Sequence, residues 1–240
     1  MNILITICAR GGSKGIPGKN IKFIAGKPLI QYSIDLAKKF QNNRSVKISL
    51  STDCDKIKLE AAKCALTTDY IRPDYLATDN SGKLDAIIDL IKYEESKVDF
   101  KYDLILDLDV TSPLRSINDI ETALKSLLEN RDALNIFSVN NANRNPYFNM
   151  VEKNINGFYS LCKTDSDGNS LTRQSAPEVF ELNASFYWYK RSFFEMNFKT
   201  AISNKSLIYL MDHMCFDVDH LEDFLYMEYL FENNKLDFKL

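Results

Sequence analysis

Apolar residues in this chain come in short unbroken runs separated by stretches of helical spacing. Residues 3–9, 46–51, 104–108 and 134–139 read as strands, and 29–40, 56–64, 84–95 and 117–129 as helices. Strands alternating with helices imply βαβ units and a parallel sheet. Because the strand runs are continuously hydrophobic, both faces of that sheet should be covered by helices. The expected fold class is therefore α/β, Rossmann-like, with functional residues in the crevice where the strands end. From about residue 140 to 175 the pattern loosens into polar, Asn-rich sequence with hairpin signals such as Asp167-Gly168, the character of an insertion. Strand character returns at 181–189 and 207–211, before a last helix at 222–232.

Composition narrows this picture without changing it. The chain has 240 residues, 45% of them apolar and 12% aromatic, enough for one domain with a real core. Residues 1–240 are taken as a single domain. A net charge of −3, with Lys and Arg spread along the chain, argues against a nucleic-acid partner. The opening apolar run stops at Arg10, far short of the roughly 20 residues that cross a bilayer, and has no basic leader. The five cysteines form no CxxC pair, which suggests neither a zinc site nor a disulfide framework. The expectation is an enzyme of the reducing cytoplasm with no membrane partner, in which Cys8 and Cys215 are small core residues.

The densest chemistry follows the first strand, in Ala9-Arg10-Gly11-Gly12-Ser13-Lys14-Gly15-Ile16-Pro17-Gly18-Lys19-Asn20. Glycines let backbone approach a ligand closely, and Arg10, Lys14 and Lys19 bring positive charge to the same turn, a combination suited to a polyphosphate. The alternative is a solvated glycine-rich loop. A P-loop is excluded, because Ser13 stands where GxxxxGK[ST] needs glycine and Asn20 follows the lysine. Further on, Thr111-Ser112-Pro113-Leu114-Arg115 reads as a helix start after a strand, which would also be an anion site. In Phe216-Asp217-Val218-Asp219 the two carboxylates alternate, so an extended run would set them on one face and invite a divalent cation; the alternative is an acidic turn capping the last helix. Glu222 and Asp223 fit that capping description.

These motifs, with Ser51-Thr52-Asp53, Arg72-Pro73, Asp79, Arg173-Gln174 and Asn183-Ala184-Ser185 in the same order, resemble the acylneuraminate cytidylyltransferases, the CMP-sialic acid synthetases within the GT-A-like nucleotidyltransferases. The resemblance spans nearly the whole chain. It implies transfer of CMP from CTP to a nonulosonic acid such as a sialic or legionaminic acid, with Mg²⁺ as cofactor and release of pyrophosphate. It also implies a homodimer whose inserted segment, about 140–188, covers the partner's acceptor site. Carried over by position, Arg10, Gly11, Gly12, Ser13, Lys14, Lys19, Asn20, Arg72, Asp79 and Ser81 bind the nucleotide, although Arg72 alone would equally read as a surface arginine in a turn. Arg10, Lys14, Lys19 and Asp217 carry the catalysis. Asp109, Thr111, Ser112, Arg115, Phe148, Arg173, Gln174, Asn183 and Tyr187 meet the acceptor, and Asp109, Asp217 and Asp219 hold the metal.

The chain departs from the sialic acid pattern twice. Asp109 stands where those enzymes commonly carry Gln, so it is expected to join the metal site, with Asp107 facing away. Phe148 stands where a lysine is common, which shifts the acceptor toward a methyl-bearing sugar of the legionaminate type. The alternatives are a CMP-Kdo-type or other sugar nucleotidyltransferase, and a non-catalytic nucleotide-binding module.

Overall fold

A computed structural model describes residues 1–42, 44–164 and 172–240; the hairpin signal at Asp167-Gly168 lies outside the described residues. In chain order the elements are β1 (Ile3–Cys8), β2 (Phe23–Ile24), β3 (Lys27–Pro28), α1 (Leu29–Gln41), β4 (Val46–Ser51), α2 (Asp55–Lys63), α3 (Lys83–Glu95), β5 (Leu104–Leu108), α4 (Ile117–Glu129), β6 (Asn135–Asn141), β7 (Val151–Lys153), β8 (Tyr159–Leu161), β9 (Phe180–Lys190), α5 (Arg191–Glu195), β10 (Ser206–Leu210) and α6 (Leu221–Glu232).

Six strands form one sheet in the order β10-β6-β9-β5-β1-β4. β1 runs parallel to both β4 and β5, and β9 runs antiparallel to β5. Apolar contacts on both faces of β1 and β5 explain why these strands are mostly apolar. Ile3, Ile5 and Ile7 join Leu104, Leu106 and Leu108 in a core that also holds Ile30, Ile34, Ile120 and Phe224 from the helices. Leu4 and Ile105 point the other way, against Ile87 and Ile91 of α3 and against Tyr189 and Phe193. Trp188 is fully buried, packs against Phe40 with the rings tilted by 60° and donates its indole N–H to Ile120 O.

On the α3 face, polarity rises along the strands toward their carboxyl ends. Leu4 is followed by Thr6 and Cys8 on β1, and Ile105 by Asp107 and Asp109 on and after β5. That gradient marks where the sheet stops being core and becomes site.

The chain divides into two compact units. The first comprises residues 1–138 and 183–240, and the second residues 139–182. The second contains the β7-β8 hairpin, in which Ile155, Phe158 and Tyr159 are exposed. Residues 183–188, placed in the insertion by sequence, belong to the first unit as part of β9. No helix among the described residues is long and apolar enough to cross a membrane.

The helix expected at Thr111–Arg115 begins later. Ser116 is the N-cap of α4: its Oγ accepts from Asp119 N–H while Asp119 Oδ2 accepts from Ser116 N–H, a reciprocal capping box. Pro113 therefore lies in the connection before the helix, not in its first turn. Replacing Ser116 with Ala should lower the free energy of unfolding by about 1 kcal/mol, read from the urea midpoint at unchanged slope. An unchanged midpoint would take Ser116 out of the cap.

Candidate active site

The loop after β1 is anchored before it reaches the cleft. Ala9 N–H donates to Ser51 O and Gly11 N–H to Asp53 Oδ1 at 2.8 Å. Gly15 then passes so close to the Asp217–Asp219 run that a Cβ there would meet Asp219 O at 2.3 Å. Glycine is obligatory at this point because backbone meets backbone. Gly18 turns the chain at φ 66, a left-handed conformation, and delivers Lys19 and Asn20. Lys19 Nζ donates to Val218 O and lies 3.3 Å from Asp219 Oδ1. Asn20 is buried and donates its amide to Arg10 O at 2.8 Å.

Eight of the ten residues assigned to the nucleotide line one cleft of about 380 Å³, namely Arg10, Ser13, Lys14, Lys19, Asn20, Arg72, Asp79 and Ser81. Gly11 and Gly12 are not in its lining, and Gly11 works by holding Asp53. Arg72, which sequence left between two readings, is 5% exposed, with Nε on Ser51 Oγ and Nη2 on Ser51 O. Those bonds fix its guanidinium at the cleft wall, so it is no surface arginine. Asp79 bridges two cations, with Oδ1 2.9 Å from Arg10 and Oδ2 against Lys14. The Lys14 and Arg10 partners hold the Asp79 carboxyl below its ordinary range.

Carboxylates occupy the other side of the cleft. Asp107 was expected to face away and does not. Residues two apart on a strand share a face, and both carboxylates reach Lys83 Nζ, Asp107 Oδ2 at 2.7 Å and Asp109 Oδ2 at 2.6 Å. Thr6 Oγ1 donates to Asp107 Oδ1 at 2.7 Å, and Thr111 donates through N–H and Oγ1 to Asp109 Oδ1 at 2.7 and 2.8 Å. Burial opposes the charge on Lys83, but Asp107 and Asp109 outweigh it and raise the ammonium well above its usual range. Burial also opposes ionisation of Asp109, and there Lys83 and Thr111 prevail and hold the carboxyl low.

Asp217 has the opposite balance. Burial first, then the charge of Asp109, push its carboxyl up to about 6, with Asp219 adding to the rise and Thr111 and Lys19 working against it. Its Oδ1 is buried without a hydrogen-bond partner. Asp219 is exposed beside Lys19. An orphaned carboxylate oxygen among all-oxygen donors suits a hard divalent cation such as Mg²⁺. The oxygens of Asp109, Asp217 and Asp219 do not converge within 4.8 Å of one another; among the described residues only Asp119, Asp212 and His213 do so. That second group is structural. Asp119 caps α4 and accepts from Tyr209 and His213, and His213 stacks on Phe238.

The acceptor assignments separate into three kinds. Thr111 and Asp109 line the cleft, and the ring of Tyr187 lies 5.7 Å from Lys83 Nζ. Ser112, Arg115 and Asn183 are buried, at 0%, 2% and 3% exposure, and these three are not in the lining of the cleft. Arg115 bonds Ser112 O, Ser185 O, Ser33 Oγ and Asp109 O, so it shapes the Asp109 loop from behind. Asn183 Oδ1 accepts from Ser138 Oγ. Phe148, Arg173 and Gln174 belong to the second unit, where Phe148 is half-buried and Arg173 and Gln174 are exposed.

Lys83 is the residue that sequence reasoning undervalued. A signal existed: a lysine opening a helix sits against the dipole and needs an acidic partner, and a buried Asp-x-Asp strand needs a cation. Cys8 also lines the cleft, but burial pushes its thiol up to about 12, which makes it inert as a nucleophile.

The family model for cytidylyltransferases matches residues 4–236. Post-translational flagellin modification protein B of Campylobacter coli is 37% identical over 238 residues, covering 99% of this chain and 98% of its own length. CMP-N,N'-diacetyllegionaminic acid synthase of Campylobacter jejuni is 38% identical over 229 residues, 95% of this chain and 94% of that protein. Among solved structures, CMP:2-keto-3-deoxy-manno-octonic acid synthetase complexed with CTP superposes with a TM-score of 0.68, covering 98% of this chain and 100% of that one at 16% identity, a likeness of fold. The match begins within β1 and runs past Asp217 and Asp219, taking in both sides of the cleft, and this chain belongs to the cytidylyltransferase family.

Proposed function

We propose that this protein transfers CMP from CTP to the anomeric hydroxyl of an acidic nine-carbon keto-sugar and releases pyrophosphate. The observation that carries this reading is one cleft lined by Arg10, Lys14 and Lys19 together with Asp109 and Asp219, with the orphaned Asp217 beside them. The cations suit the triphosphate, and Asn20 and Arg72 line the cleft with the polar groups a base and ribose need. Asp79 bridges Arg10 and Lys14, so the two cations that suit the triphosphate are already gathered.

The acceptor oxygen attacks the α-phosphorus as the bond to the bridging oxygen breaks. Lys19, Lys14 and Arg10 stabilise the charge that develops on the leaving pyrophosphate. Asp217, beside Asp109 and Asp219, accepts the hydroxyl proton. Asp109, Asp217 and Asp219 would hold Mg²⁺, which supplies charge neutralisation at the phosphates. The acceptor is a legionaminate-type sugar, a reading supported by the name of the Campylobacter jejuni relative and by Phe148 in place of a lysine. Phe148, Arg173, Gln174 and the rest of the inserted segment cover the acceptor site of the partner chain in a homodimer, and the enzyme works in the cytoplasm.

Pyrophosphate release measured with CTP across a panel of nonulosonates and Kdo tests this reading. The legionaminate-type sugar should exceed N-acetylneuraminate in kcat/KM by about five- to tenfold, and Phe148→Lys should narrow the gap, since one buried methyl is worth on the order of 1 kcal/mol. A preference for Kdo, or no release with any sugar, would reject the assignment.

A second outcome concerns pH. The folded-state pKa of Asp217 lies above its unfolded value, so its contribution to stability is complete at low pH and is lost as pH rises through about 6. Without metal, the melting temperature should fall between pH 5 and pH 7, and Mg²⁺ should raise it more near pH 7 than near pH 5. Asp217→Asn should remove both effects. Equal Mg²⁺ stabilisation at the two pH values would take Asp217 out of the metal site.

A further inference from the structure

Lys83 occupies an unfavourable place for an ammonium. It is the first residue of α3, where unpaired N–H groups make the surroundings positive, yet its Nζ lies 2.7 Å from Asp107 and 2.6 Å from Asp109. Those two carboxylates leave one face of a central strand side by side, and Asp107 is fully buried. Without a cation between them they would repel in a medium that screens charge poorly. A second ammonium, Lys19, is 3.3 Å from Asp219.

The charges at this end of the cleft can therefore be counted. Four carboxylates, Asp107, Asp109, Asp217 and Asp219, face two ammonium groups, Lys83 and Lys19, which leaves two negative charges. Among these six side chains one divalent ion balances the charge and two overshoot it. With Arg115 counted, buried behind the Asp109 loop and bonded to its carbonyl, one ion already more than neutralises the cluster, which makes a second ion less favourable still. Asp217 Oδ1 is buried without a hydrogen-bond partner and, unlike Asp107 and Asp109, its carboxylate has no contact with Lys83.

We propose that Lys83 stands in the place of a second divalent cation, so that the protein's carboxylates hold one metal ion, and that its ammonium keeps Asp109 aimed at that ion. Lys83 is thus a positioning residue that supplies permanently, from the chain, a charge that would otherwise come from solution. This inference rests on the reading that these carboxylates bind a divalent cation.

Titration of the nucleotide-free protein with Mn²⁺, followed by the electron paramagnetic resonance signal of the free ion, counts bound ions without reference to catalysis. A variant with Asn at positions 109, 217 and 219 gives the background from weak surface sites. Above that background, the natural protein and Lys83→Arg should bind one ion per chain and Lys83→Met two. No ion in the natural protein would overturn the metal reading and this inference with it. Two ions in the natural protein, or one in folded Lys83→Met, would overturn the role of Lys83 and leave the metal reading standing. Should Lys83→Met fail to fold, the double variant Lys83→Met with Asp107→Asn removes the ammonium together with one of its partners. That variant should bind its single ion about tenfold more tightly, because nothing competes for Asp109. Unchanged affinity there would overturn the proposal.

Discussion

Burial of Asp107 and Asp109 at the end of the central strand is the constraint around which the rest of the site is arranged. A carboxylate within a sheet is tolerated only with a cation and with donors for its remaining oxygens. Lys83 supplies the cation, Thr6 and Thr111 the donors. Each of these partners fixes something else in turn. Lys83 ties the first turn of α3 to the end of β5, Thr111 N–H and O tie the Asp109 loop to Asp109 itself and to Val218 N–H, and Val218 carries Asp217 and Asp219 with it. The metal-facing carboxylates are thus held by one chain of bonds that starts inside the core.

The opposite wall obeys a different rule. A phosphate site built on a helix N-terminus draws on backbone N–H groups and the helix dipole. Here the Gly-rich loop leads into a single short turn at Lys19–Ile21 and then into β2 and β3, so no long helix points at the cleft from it. Charge must come from side chains instead, which accounts for Arg10, Lys14 and Lys19 within so few residues. Free cations packed this closely would repel. Asp79 separates Arg10 from Lys14, and Val218 O and Asp219 hold Lys19.

Much of this was legible in the chain. The strand and helix spacing, the loop after β1, and the Asp217–Asp219 run each have a local signature, because a backbone period or a cluster of charges within one turn is written in consecutive residues. Other features misled for the same local reason. Thr111–Arg115 looks like a helix start by composition, but the cap that wins is Ser116, which has Asp119 at the reciprocal position. That Ser112, Arg115 and Asn183 are buried, with Arg115 bonded to Ser112 O and Asn183 to Ser138, is likewise set by tertiary neighbours and has no local signature.

By itself, the sequence determined the α/β architecture, the cation-rich loop and the presence of paired carboxylates, since each follows from periodicity or from neighbours along the chain. Only the tertiary structure decided which charges meet. Lys83 lies 24 and 26 residues before its two partners, and Lys19 lies 200 before Asp219, so their pairing depends on parallel strands bringing their carboxyl ends to one edge. Whether a carboxyl is held low, like Asp109 by Lys83 and Thr111, or pushed up, like Asp217 by burial and the Asp109 charge, is set by tertiary neighbours that no local pattern encodes.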